Sequence, residues 1–178
     1  MSAGSPEAYR LQPNGGIPNS QLPLLVYREA FPPSGDVARA FERIFAANGW
    51  TRSWRNGVFD YHHFHSTAHE VLGVSRGDVK VQFGGEGGPV IALEAGDAVA
   101  IPAGVAHRNC GQSADFEIVG AYDRGRDWDV RRGDPGELDA IAAAIAAVPA
   151  PTRDPLHGDT GALPSLWAAV PEAPPGVA

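Results

Sequence analysis

Short segments of alternating apolar and polar residues run through the middle of the chain. Between about Trp50 and Tyr122, runs such as "GVFDYHHFH", "EVLGVSRG", "DVKVQFGG" and "PVIALEAGD" follow one another with glycines between them. A period of two residues is typical of half-buried strands, and glycine marks the turns that connect them. Six or more strands at this spacing predict an all-β domain, either a sandwich or a barrel.

Two other segments have the period of a helix. In "SGDVARAFERIFAANGW", Ser34 or Asp36 can cap a helix that stops at an Asn-Gly pair. Further on, Asp134 as N-cap, Pro135 at the first position and Glu137 form a second helix start, ahead of apolar residues on one face. We therefore expect one N-terminal and one C-terminal helix to flank the β core.

The 178 residues are enough for one domain with its own core. Within it we distinguish four parts. These are a flexible N-terminal arm (1–21), a strand and flanking helix (22–50), a barrel core (51–132) and a helix followed by an extended tail (133–178). In the proline-rich tail, Leu163, Leu166 and Trp167 are the expected anchors onto the domain.

Composition and charge exclude several classes of partner. The net charge of −7 without a run of Lys or Arg argues against a nucleic-acid or anionic-membrane partner, which leaves a small molecule. The single cysteine, Cys110, excludes a disulfide within the chain, and neither a signal peptide nor a membrane span is visible. We expect a cytoplasmic protein.

The stretch "YHHFHSTAHEVLGVSRG", residues 61–77, holds four of the six histidines. On a strand, His63 and His65 share one face and His62 lies on the other. If a turn follows and a new strand begins near His69, then Glu70 can join His63 and His65 while His69 points away. With a tighter turn, His69 could instead replace His65 or carry protons near the site.

Two spacings resemble the two signature motifs of the cupin superfamily. The first consists of Gly57, His63, His65, Glu70 and Gly77, and the second of Gly96, Pro102-Ala103-Gly104 and His107. The asparagine that the second motif has four residues after its histidine is replaced by Gly111. This resemblance implies a small RmlC-like jelly-roll barrel.

The flanks resemble a narrower group, the YjlB-type single-domain cupins, in "FHSTAHEVLGVSRG", "VQFGGEGG" and "DPLHGDTGALPSLW". The resemblance implies that His63, His65, Glu70 and His107 are metal ligands. Three imidazoles and one carboxylate suit one divalent transition metal, namely Fe, Mn, Ni, Co, Cu or Zn, and are too nitrogen-rich for Mg or Ca.

The leading interpretation is a metal-dependent cupin enzyme acting on a small oxygenated or organic-acid substrate, as an oxygenase or an isomerase. Tyr61 and His69 are its candidate catalytic acid–base groups, and Tyr61 and Phe59 share the face of the ligands and are expected to line the pocket. The alternative is a non-catalytic small-ligand-binding or sensor cupin. A structural or partner-binding protein is a third interpretation.

Two further features remain open at the level of sequence. Arg52 and Arg55 precede the first motif and either clamp an anionic substrate or only keep the surface soluble. The segment "LPLLVYREAF" could exchange between subunits, because sheet edges need covering, and we therefore expect a homodimer.

Overall fold

The computed structural model describes residues 4–168. The start of the predicted arm (1–3) and the end of the predicted tail (169–178) lie outside the described residues. The strands are β1 (Glu7–Leu11), β2 (Ser20–Tyr27), β3 (Trp50–Asn56), β4 (Glu70–Arg76), β5 (Asp78–Phe83), β6 (Val90–Glu94), β7 (Ala98–Ile101), β8 (His107–Gln112) and β9 (Glu117–Asp123). The helices are α1 (Val37–Ala47), α2 (Leu138–Ala146), which follows a 3-10 turn (Pro135–Glu137), and α3 (Leu163–Leu166).

The strands form two antiparallel sheets. One has six strands in the order β1-β2-β7-β4-β9-β3, and the other has three in the order β6-β5-β8. The prediction of a mostly β, cupin-type fold is thus confirmed as a two-sheet sandwich. Pairing among the described strands does not close these sheets into the barrel that the sequence suggested. No helix within residues 4–168 is long and apolar enough to cross a membrane.

Alternation along β2 and β4 builds two apolar layers. Leu24 and Leu72 belong to a buried cluster that includes residues of both sheets, so they face the interior of the sandwich. Leu25 and Val71 belong to a second cluster that includes α1, so they face the opposite side of the six-stranded sheet. Glu70, two residues before Leu72, therefore begins β4 on the interior face.

Helix α1 covers the outer side of the six-stranded sheet. The side chain of Asp36 caps it by accepting a hydrogen bond from the backbone N–H of Arg39 at 3.0 Å. Phe41 is fully buried against the sheet, where a Cβ on Gly73 would lie 2.6 Å from its ring. Only a glycine on β4 lets the helix approach this closely.

Part of the predicted flexible arm is an ordered strand. Residues 7–11 form β1, which pairs with β2, and β2 pairs on its other edge with β7. Residues 24–27 of "LPLLVYREAF" thus pair with β1, β7 or both within the chain. Exchange of this segment between subunits stays a prediction. Apolar content alone missed β1, because its stability comes from backbone pairing with a neighbour.

The described part of the tail is fixed by a buried carboxylate. Asp154 is fully buried and accepts four hydrogen bonds, from the Tyr27 hydroxyl and from the backbone N–H groups of Leu156, His157 and Leu163, at 2.9–3.2 Å. Trp167 is also buried and donates from Nε1 to the carbonyl of Pro23 at 2.8 Å. Of the three predicted anchors, Leu163 and Trp167 are buried, whereas Leu166 is exposed.

We predict that Asp154→Ala lowers the free energy of unfolding by at least about 3 kcal/mol, because it leaves four buried donors without their acceptor. Chemical denaturation monitored by circular dichroism measures the loss. Asp159→Ala is the matched control, since that carboxylate is exposed and pairs only with Arg153; it should change stability by less than about 1 kcal/mol. Equal effects of the two substitutions would contradict the role given to Asp154.

Candidate metal centre

His63 and His107 are brought together by backbone pairing. The N–H of each donates to the carbonyl of the other, at 3.2 Å and 2.9 Å, in an isolated bridge. The next residue, Phe64, makes its own bridge to Arg131. Because successive residues pair with different segments, residues 57–69 do not form the regular strand that the alternation predicted.

The structure places His63, His65 and His107 in one buried group. One ring nitrogen of each lies within 4.8 Å of the corresponding nitrogens of the other two. Glu70 lies beside them, with its carboxylate oxygens 3.1 Å from Nε2 of His65 and 3.4 Å from Nε2 of His107. All four residues are buried, with at most 6% of their surface exposed.

A main-chain carbonyl fixes the orientation of each imidazole by pairing with its Nδ1. These contacts pair Nδ1 of His63, His65 and His107 with the carbonyls of Tyr61, Asp129 and Val105, respectively. A carbonyl only accepts, so each Nδ1 carries a proton, and Nε2 is the nitrogen of each ring that can bind a metal. Such second contacts are the usual way in which proteins orient metal-binding histidines.

The electrostatics of the group call for a cation. Burial and the neighbouring His107 lower the pKa of His63 to about 3, so that ring is neutral. Burial would raise the pKa of Glu70, yet the adjacent His65 and His107 lower it, and the carboxylate stays ionised. Burial likewise opposes a charge on His65, but Glu70 raises its pKa overall. Buried lone pairs and a carboxylate that face each other are stable only with a proton or metal between them.

The donor set fits a transition metal. Three imidazole nitrogens with one carboxylate oxygen match the preferences of Fe, Mn, Ni, Co, Cu and Zn, whereas Mg and Ca prefer oxygen shells. The buried histidine triad can therefore hold such an ion, and Glu70 is placed to join it.

These groups form the floor of an open pocket of about 290 Å³. Its walls are mainly apolar: Trp54, Val58, Phe59, Leu72, Ile118, Trp128 and Val130. Asn56 and Tyr122 are polar residues of the walls, and Tyr122 lies next to Glu70. Its hydroxyl accepts a hydrogen bond from Nε1 of Trp54 at 3.0 Å, and burial together with the Glu70 carboxylate raises its pKa, so that it remains protonated.

The sequence of one curated protein is closely similar. This chain is 40% identical over 162 residues to the uncharacterized protein YjlB of Bacillus subtilis (strain 168), covering 90% of this chain and 96% of that protein. This chain belongs to the YjlB family of single-domain cupins. No protein-family model matches it.

Solved structures resemble this YjlB-family cupin more distantly. Acireductone dioxygenase from Bacillus anthracis, with a cadmium ion in its active centre, is 16% identical, with a TM-score of 0.41 over 59% of this chain and 80% of that one. The QdtA 3,4-ketoisomerase from Thermoanaerobacterium thermosaccharolyticum is 17% identical, with a TM-score of 0.42 over 53% and 74%. At these values neither similarity assigns an activity or a ligand to this chain.

The structure of this YjlB-family cupin does not bring His69 or His62 to the metal centre. His69 is buried near Trp167, with ring centroids 4.9 Å apart, and its Nδ1 accepts a hydrogen bond from the N–H of Ala103. Its tautomer is therefore the reverse of that of the three converging rings. His62 lies near the exposed Glu86 instead. The geometry thus supports neither a ligand role nor the predicted catalytic role for His69.

Tyr122 takes the place in the pocket that sequence reasoning gave to Tyr61. The ring of Tyr61 stacks on Phe59 at 4.9 Å, and Phe59 lines the pocket while Tyr61 does not. Tyr122 was missed because its position depends on the pairing of β9 with β4, where it lies opposite Glu70. Nothing local in "DFEIVGAYD" reveals that register.

The two arginines before the first motif do not clamp a substrate. Arg55 makes two hydrogen bonds to Glu42 of α1, at 2.6 Å and 2.9 Å. Arg52 pairs with Asp127 and lies over the ring of Trp128. Neither guanidinium lines the pocket, so the hypothesis that they bind an anionic substrate is not supported.

We predict that Asp129→Asn weakens divalent transition-metal affinity by roughly tenfold. The carboxylate of Asp129 accepts hydrogen bonds from the N–H and hydroxyl of Ser66 and from Arg131, and these bonds hold the carbonyl that orients His65. Competition titration against a coloured chelator measures the affinity. Asp127→Asn, at a carboxylate that is 96% exposed, should leave it unchanged; the same affinity for both variants would refute this positioning role.

Proposed function

We propose that this cupin is a metal-dependent enzyme acting on a small oxygenated or organic-acid substrate, as an oxygenase or an isomerase. The observation that carries the proposal is the convergence of one ring nitrogen from each of His63, His65 and His107, with the Glu70 carboxylate beside them, on the floor of an open pocket. His63, His65, Glu70 and His107 would hold one Fe, Mn, Ni, Co, Cu or Zn ion.

Each part of the pocket has a task in such a reaction. An ion of this kind supplies Lewis acidity toward substrate oxygens, and four protein ligands leave two positions of an octahedral shell for them. The apolar walls exclude water from the floor, which strengthens electrostatic interactions there. The protonated hydroxyl of Tyr122, adjacent to Glu70, would be able to donate a hydrogen bond to a bound oxygen.

A non-catalytic binding or sensor cupin is the competing function. Catalysis requires an open pocket above the four groups, as found here, whereas binding alone tolerates a closed metal shell or no metal at all. Water-proton relaxation of the Mn-loaded protein separates the two functions. A catalytic site predicts rapidly exchanging water on the ion, whereas a closed shell without exchange would support the sensor.

We predict that protein purified without added metal carries close to one transition-metal ion per chain, as measured by elemental analysis. His65→Ala and His107→Ala should each abolish loading, because each removes one converging Nε2. His62→Ala is the matched control and should load normally, since this ring lies near Glu86 instead.

Two outcomes would overturn the proposal. One is a wild-type protein that holds no stoichiometric transition metal and cannot be loaded with one. The other is an equal loss of metal loading in all three variants, which would mean that the ion is not bound specifically by the converging rings.

The homodimer and the cytoplasmic location expected from the sequence stay predictions. Since β2 is paired on both edges, a dimer made by strand pairing would use β1 or β3, the outer strands of the six-stranded sheet. Light scattering of the dilute protein would test this, and a monomer would end the expectation.

A further inference from the structure

Exposed apolar side chains are concentrated at the mouth of the pocket. Among residues 4–168, five large hydrophobic side chains are exposed, and three of them line this pocket: Phe59 at 50%, Trp128 at 37% and Val130 at 46%. A soluble domain rarely gathers such residues in one place without a ligand for them to cover.

Two aromatic stacks hold this mouth in shape. On one side, Phe59 lies nearly parallel to Tyr61, with ring centroids 4.9 Å apart, and the guanidinium of Arg132 lies 3.8 Å from the centre of the Tyr61 ring. Stacking and cation–π contacts of this kind fix the plane of each ring. The ring of Phe59 is thus presented to the pocket at a set angle.

The other stack has the same construction. Trp128 lies on Tyr122 with centroids 4.2 Å apart and an angle of 8° between the rings, and Arg52 lies 4.8 Å from the centre of the Trp128 ring. Tyr122 is held in turn by the hydrogen bond from Trp54. An aromatic wall therefore extends from Glu70 on the floor to the mouth of the pocket. Because its rings are already fixed, they lose little conformational entropy when a flat ligand binds.

The charges of the pocket restrict the ligand further. None of the described residues that line it is Lys or Arg. Arg52 is committed to Trp128 and Asp127, and Arg132 lies against Tyr61. A phosphate or nucleotide would therefore find no basic group to pair with. Among the described residues of the pocket, a negatively charged ligand group could be neutralised only on the floor, by a cation held between the histidines and Glu70.

The volume limits the size of the ligand. About 290 Å³ lies at the small end of ligand pockets, which suits one ring with a short polar group. Phe59 and Trp128, one from each stack, line the same pocket as the histidines and Glu70, so a ligand in this pocket lies among all of them.

We propose that the substrate is a planar, one-ring aromatic or conjugated compound that presents two neighbouring oxygens to the metal. This inference rests on the proposed function, since the oxygens need the ion. The rings of Phe59 and Trp128 are its specificity determinants, and they select the flat apolar body rather than the chelating group.

Two hydroxamates test this selection, because they share one chelating group and differ only in the body attached to it. Calorimetric titration of the metal-loaded protein should show benzohydroxamate binding at least about tenfold more tightly than acetohydroxamate. Cyclohexanecarbohydroxamate, which is apolar but not flat, should bind several-fold more weakly than benzohydroxamate. Phe59→Ala and Trp128→Ala should each reduce the preference for benzohydroxamate by severalfold.

Val90→Ala is the matched control, since Val90 is 54% exposed on β6 and does not line the pocket. It should keep the full preference for benzohydroxamate. Elemental analysis of the same samples separates the two claims. A protein that holds no metal would refute the proposed function and, with it, this inference.

A protein that holds metal but binds benzohydroxamate and acetohydroxamate equally would overturn this inference alone. So would a preference that survives in both alanine variants, or a cyclohexyl compound that binds as well as the phenyl compound.

Discussion

Three hydrogen bonds from imidazole Nδ1 atoms to main-chain carbonyls govern the chemistry of this protein. Because the carbonyls of Tyr61, Val105 and Asp129 can only accept, they fix the proton on the outer nitrogen of each ring. The inner nitrogens then present lone pairs toward one another and toward an ionised Glu70. A proton or a metal ion between these groups relieves their repulsion, so the same bonds that orient the rings make them able to hold an ion.

The fold supplies these carbonyls and the carboxylate through long-range pairing. The reciprocal bridge between residues 63 and 107 sets two rings side by side, and the register of β4 against β9 sets Glu70 opposite Tyr122. Helix α1 and the tail held by Asp154 cover the other side of the six-stranded sheet. The pocket therefore lies on the interior face, with a polar floor and mainly apolar walls.

The sequence predicts the floor of this pocket better than its walls. Alternation pairs His63 with His65 and puts Glu70 on one face with Leu72, because strand geometry is local. The resemblance to the cupin motifs adds His107. The roles of Tyr122 and Trp128 depend on which strands are neighbours and in what register, which no local pattern specifies. For the same reason the sequence predicts a flexible arm where β1 lies, and it predicts that Tyr61 lines the pocket, which it does not.

The position of the bound ion tests the central claim most directly. A crystal structure of the metal-loaded protein, with anomalous scattering recorded at the absorption edge of the metal, would locate it. The account predicts one ion about 2.0–2.2 Å from Nε2 of His63, His65 and His107, with a Glu70 oxygen as the fourth ligand. An ion bound through any Nδ1 of these rings, or bound at another place in the chain, would contradict it.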